Sequence, residues 1–148
     1  MNRFDRRPVE ILLVEDNPGD VRLIKQALKL YKMQNTIHVA ADGTIAMDFL
    51  LKRGRYQNKP KPDLILLDLN LPKKDGIEVL EDIKKDPSLR HIPVVILTSS
   101  QAEEDIIKTY QNHANCYLTK PVDLDRFLEI MKSVESFWFK TVKLPPNQ

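Results

Sequence analysis

Apolar positions along the chain fall into short unbroken runs that alternate with segments of helical spacing. The first run, Val9 to Val14, has the length of a buried strand and ends in the acid pair Glu15-Asp16. Asn17-Pro18 then reads as a helix start, because Asn caps well and Pro suits the first turn. Val21, Ile24, Leu28 and Tyr31 follow on one helical stripe, widened by Leu23, Ala27 and Leu30. A second strand is predicted over 36–40, turn chemistry at Asp42-Gly43, and a second helix around Ile45, Ala46, Phe49 and Leu50. Residues 52–61 form a basic, polar connection closed by Pro60 and Pro62, expected to be an exposed loop.

The most informative run comes next. A third strand is predicted over 63–67, and it ends abruptly in Asp68, followed by Asn70, Pro72 and Gly76. A third helix carries Ile77, Leu80 and Ile83 inward and stops at Asp86-Pro87. A fourth strand over 92–97 ends in Thr98-Ser99-Ser100. A polar helix over 102–111 and a fifth strand over 115–118 lead to Thr119-Lys120-Pro121. Asp123 then caps a last helix with Leu124, Phe127, Leu128, Met131 and Val134 at helical spacing. Five strands alternating with five helices predict an α/β layered sandwich around a parallel sheet. No run is long enough for a transmembrane helix.

Composition narrows the function rather than the fold. The 148 residues suit one domain, and the net charge of +2 argues for neither a nucleic-acid footprint nor an anionic membrane surface. Arg3, Arg6 and Arg7 precede no long apolar stretch, so a signal peptide is not supported. A single cysteine, Cys116, excludes an intrachain disulfide and reads as a strand cysteine. The inferred address is cytoplasmic. His38, His91 and His113 are scattered without metal-ligand spacing.

The chemistry gathers at the strand ends, which in a parallel sheet share one edge. Glu15, Asp16 and Asp68 bring three carboxylates there, Thr98 a hydroxyl and Lys120 an ammonium. Carboxylates crowded in one pocket raise each other's pKa unless a cation joins them. Hard oxygen ligands with open positions suit Mg²⁺, which also binds phosphate oxygens. Lys120 and Thr98 offer a point charge and a hydroxyl donor to a phosphoryl group, and Asp68 is the candidate nucleophile for an aspartyl phosphate.

Glu15-Asp16 after an apolar strand, Asp68 with Pro72 and Gly76, Thr98 after Val94-Val95-Ile96-Leu97, and Lys120-Pro121 together resemble the receiver domain of two-component response regulators. The resemblance spans about residues 9 to 136, flanked by an N-terminal arm over 1–8 and a tail over 137–148. It implies a flavodoxin-like (βα)5 three-layer sandwich with sheet order 2-1-3-4-5. It implies Mg²⁺ held by Asp16, Asp68 and the backbone carbonyl of Asn70, with Glu15 assisting, and phosphorylation on Asp68. It further implies a cis peptide at Lys120-Pro121 and a switch in which Thr98 moves toward the phosphoryl group and Tyr117 turns inward. Asn70 and Ser100 occupy the family's positions that tune autodephosphorylation. Ser99 stands where many members have Ala, and remains small enough to admit phosphate.

The residues after the last helix are too few for a DNA-binding output domain, so the expected output is contact with a downstream protein. Phe137, Trp138 and Phe139 cannot all face one core from consecutive helical positions. The segment from Glu135 to Pro146 and the long loop before Asp63 resemble the single-domain regulators associated with phytochromes. That narrower likeness implies a phytochrome-type histidine kinase as phosphate donor. A homodimer through the fourth and fifth predicted helices and the aromatic tail is expected. The competing reading is an Mg²⁺-dependent phosphohydrolase with the same aspartyl-phosphate chemistry. Such enzymes place a general acid two residues after the nucleophile, where this chain has Asn70. A flavin carrier of similar fold is disfavoured by Glu15-Asp16, which would repel the flavin phosphate.

Overall fold

The structure is a computed structural model of the full chain, and it describes residues 8–31, 34–99 and 116–137. Residues 1–7 of the N-terminal arm, the predicted helix over 102–111, Ser100 and the tail beyond Phe137 lie outside the described residues, so of the expected dimer surface only the last helix is described.

Five parallel strands form one sheet in the order β2-β1-β3-β4-β5. They are β1 (Val9–Val14), β2 (Asn35–Ala40), β3 (Leu64–Asp68), β4 (Val94–Thr98) and β5 (Cys116–Thr119). The described helices are α1 (Pro18–Leu30), α2 (Gly43–Leu50), α3 (Gly76–Lys85) and α4 (Leu124–Phe137). Strands β3 and β4 are buried at every residue. Parallel strands covered on both faces need such continuous apolar runs. One face packs Leu12, Ile65, Leu67, Val94 and Ile96 against Phe49 and Leu50 of α2 and Val79, Leu80 and Ile83 of α3. The other packs Ile11, Leu13, Leu66, Val95 and Leu97 against Ile24 and Leu28 of α1 and Phe127 and Met131 of α4. This is the flavodoxin-like sandwich expected from the sequence.

Local chemistry sets the ends of the elements. Asn17 caps α1 by accepting from the Asp20 N–H at 3.0 Å, with Pro18 in the first turn. Asp75 and Glu78 form a capping box that starts α3. Asp123 Oδ1 accepts from the N–H of Asp125 at 2.9 Å at the start of α4. Asp42 does more than turn the chain: its carboxylate accepts from the Ile45 N–H at 2.8 Å and caps α2.

Two strands begin later than their apolar runs suggest. Residue 93 is a proline without an N–H, so β4 starts at Val94, although the Pro93 carbonyl still accepts from Ile65 at 3.0 Å. Asp63 precedes β3, and its side chain accepts from the Glu10 N–H at 2.9 Å. The basic loop holds a short 3-10 turn at Gly54–Tyr56. Arg53 and Arg55 are exposed there, as expected of a solvated face, but the Tyr56 ring stands 5.8 Å from that of Phe49 and packs on the core.

Candidate phosphoacceptor and metal site

The sheet register carries the site residues to one edge. Asp68 pairs with Leu97, and Thr98 pairs with Thr119, one residue before Lys120. The ladder runs on past the strand ends: Glu15 N–H donates to the Ala40 carbonyl at 3.0 Å, Leu69 N–H to Leu97 at 3.2 Å and Lys120 N–H to Thr98 at 2.8 Å. Backbone hydrogen bonds therefore hold the positions from which Glu15, Asp68 and Lys120 project.

Glu15, Asp68 and Thr98 are buried, at 1%, 3% and 1% exposure, while Asp16 is exposed. Oxygens of Glu15, Asp16 and Asp68 lie within 4.8 Å of one another. The Lys120 ammonium bridges this group, 2.6 Å from Glu15 Oε1, 2.9 Å from Asp20 Oδ2 and 3.2 Å from Asp68 Oδ2. Asp68 Oδ1 accepts from the Asn70 N–H at 3.1 Å, and Glu15 Oε2 from the Asn17 N–H at 3.2 Å. Burial, opposed by the Lys120 hydrogen bond and reinforced by the Asp68 charge, pushes the Glu15 carboxyl up to about 7. Burial alone would lower Lys120, but its hydrogen bonds to Glu15 and Asp20 and the charge of Asp68 outweigh this and hold it above its usual value.

Three carboxylates with oxygens this close, one exposed to solvent, suit a hard divalent cation with open positions. The residues fit a divalent cation bound at this edge.

The loop from Asp68 to α3 is folded tightly against the site. A Cβ on Gly76 would stand 2.3 Å from the Asp68 carbonyl oxygen and 2.6 Å from Leu69 Cα. Lys73 adopts a φ of 66°, and the Lys120–Pro121 peptide is cis. Asn70 is exposed, and its side-chain amide donates to Ser99 Oγ at 3.3 Å.

Of the residues expected in the site, Glu15, Asp16, Asp68 and Lys120 come together, with Asn70 against Asp68. Tyr117 lies on β5, three residues before Lys120. Its partner across the register is Ile96, and it packs, partly buried, on the α2–α3 side of the sheet. Thr98 lies two residues beyond Ile96, so it shares that face with Tyr117. Asp20 escaped the sequence reading. Its place in the first turn after Asp16 was the available signal.

A parallel five-stranded sheet with acids, a buried hydroxyl and a lysine on its carboxyl edge defines a receiver, and residues 11–132 match the family model of the response regulator receiver domain. The chain belongs to that family. It is 51% identical over 138 residues to the response regulator Rcp1 of Synechocystis, covering 93% of this chain and 94% of the relative. The crystal structure of the Mn²⁺-bound form of Rcp1 superposes with a TM-score of 0.80 over 93% of this chain and 99% of that one. The phosphorylated cyanobacterial phytochrome response regulator RcpA is 49% identical, with a TM-score of 0.81 over 94% of this chain and 99% of that one. No helix among the described residues is long and apolar enough to cross a membrane.

Proposed function

We propose that the protein is a phosphoacceptor switch, phosphorylated on Asp68 by a phytochrome-type histidine kinase and signalling through phosphorylation-dependent protein contacts. The observation that carries this reading is the Asp68 carboxylate held between the Asn70 N–H and the Lys120 ammonium, beside two further acids. An Asp68 oxygen attacks phosphorus and the bond from phosphorus to the donor's imidazole nitrogen breaks. The imidazole leaves with the electron pair and takes up a proton. Lys120 moves to a phosphoryl oxygen as a point charge, and the Thr98 hydroxyl donates to another. Glu15, Asp16, Asp68 and the Asn70 carbonyl would hold Mg²⁺. When bound, the metal supplies positive charge between the acids and the phosphoryl oxygens. Asn70 cannot act as general acid, which speaks for a slowly reversed switch over a phosphohydrolase.

Support for the kinase class comes from the likeness to RcpA, a phytochrome response regulator. The test is incubation with phosphoramidate and Mg²⁺ followed by intact mass. One added phosphoryl group, absent in Asp68→Asn, is expected; no adduct on the unaltered protein would overturn the reading. Transfer from a phytochrome-type kinase should outpace transfer from an unrelated histidine kinase. Equal rates would remove the phytochrome assignment and leave the switch intact.

A further inference from the structure

The Lys120 ammonium has three carboxylate partners within 3.2 Å, hydrogen bonds to Glu15 and Asp68 and an ion pair with Asp20, so carboxylates crowd it before any phosphoryl group arrives. To take up a phosphoryl oxygen it must release one partner. The three differ in what release costs. Glu15 has a side chain with 0% exposure, and losing its cation would strand a charge that water cannot reach. Asp68 gives up its carboxylate charge in the acyl phosphate, and the phosphoryl oxygens it then carries are the ones the lysine must reach. Asp20 has a side chain 27% exposed, on the first turn of α1, and water can replace the ammonium there.

We infer that Asp20 is a positioning residue, a releasable anchor that holds Lys120 in the unphosphorylated state and gives it up when Asp68 is phosphorylated. The inference rests on the phosphoacceptor reading above and extends it. The anchor acts in one direction. Its pairing with Lys120 stabilises the unphosphorylated form, while its negative charge opposes an incoming phosphoryl dianion. Both effects lower the affinity of the site for a phosphoryl group. A purely structural Asp20 would do neither.

The test is fluoroberyllate binding, as a phosphoryl mimic, at saturating Mg²⁺, followed by titration of the full chain. Asp20→Asn should bind the mimic about twofold to fivefold more tightly, the range set by one partly exposed ion pair. Asp20→Glu, which restores the charge, should return the affinity to the unaltered value. Mg²⁺ affinity measured separately without fluoride identifies any part of the change owed to the metal. Asp20→Ala serves as a second charge-removing variant should Asp20→Asn fold poorly. Unchanged or weaker mimic binding in both charge-removing variants would overturn the anchor while leaving the switch standing. Absence of mimic binding to the unaltered protein would overturn both.

Discussion

Lys120 donates to Glu15 Oε1 at 2.6 Å across 105 positions of sequence, and this contact joins the ends of β1 and β5 behind the phosphoacceptor. Glu15 is nearly inaccessible to solvent. The pair therefore couples the charge state of the site to the stability of the fold.

Removing the cation should expose that coupling. Lys120→Met leaves Glu15, Asp20 and Asp68 without their shared ammonium. Breaking a buried pair from one side costs several kcal/mol, and protonation of Glu15 absorbs part of this. Metal-free Lys120→Met is expected to lose about 2 kcal/mol by urea denaturation. Mg²⁺ should return part of the loss, by placing positive charge among the same oxygens.

The pH dependence follows from Glu15. Its folded value, about 7, lies above the ordinary 4.5, so the folded state holds the proton more tightly than the unfolded chain. Its contribution to stability is complete below about 4.5 and disappears as pH rises through about 7. With a chelator present, the urea midpoint should fall between pH 5 and 7 more steeply in the unaltered protein than in Glu15→Gln. Parallel profiles would disprove the assignment.

Gly76 offers a steric test of the loop. An added methyl would meet the Asp68 carbonyl oxygen and Leu69 Cα, backbone atoms at the end of β3 and just beyond it, where the phosphoacceptor sits. Gly76→Ala should cost about 1–3 kcal/mol, the range for overpacked sites. It should also slow phosphoryl uptake from phosphoramidate, because relief requires the Asp68 backbone to shift. A stable variant with unaltered uptake would show that the loop gives way instead.

Much of this architecture was legible in the residues themselves. Val9 to Val14 is an apolar run closed by acids, and it is β1 without adjustment. Asn17-Pro18 starts α1 as capping chemistry dictates. The site was legible because a parallel sheet brings strand ends together, so Glu15, Asp68, Thr98 and Lys120 could be placed on one edge without knowing any contact. Side-chain partners were not legible. An acid in a helix's first turn is ordinarily explained by the helix dipole. The Asp20 contact with Lys120 instead depends on how α1 and the end of β5 meet in space. Tyr56 likewise sits in a basic loop whose sequence gives no sign that its ring packs against Phe49. Strand starts shifted at Pro93 and Asp63 because missing or diverted backbone hydrogen bonds, not hydropathy, set them.

The relation of Thr98 to Tyr117 leads to the last prediction. Tyr117 stands opposite Ile96, and Thr98 lies two residues further along β4 on the same face. Thr98 is buried at the strand end, whereas Tyr117 is partly exposed and rests against the α2–α3 core. If the Thr98 hydroxyl is drawn toward a phosphoryl oxygen on Asp68, the space it leaves lies on the face that carries the tyrosine. Packing against that space favours an inward ring. Solvent exposure of Tyr117, read by tyrosine NMR with a soluble paramagnetic probe, should fall when Mg²⁺ and fluoroberyllate bind. In Thr98→Val the branched shape remains but the hydroxyl that answers the phosphoryl group is gone, so the mimic should bind with a smaller change at Tyr117. An equal change in both proteins would mean that the ring responds to the site by a route other than Thr98.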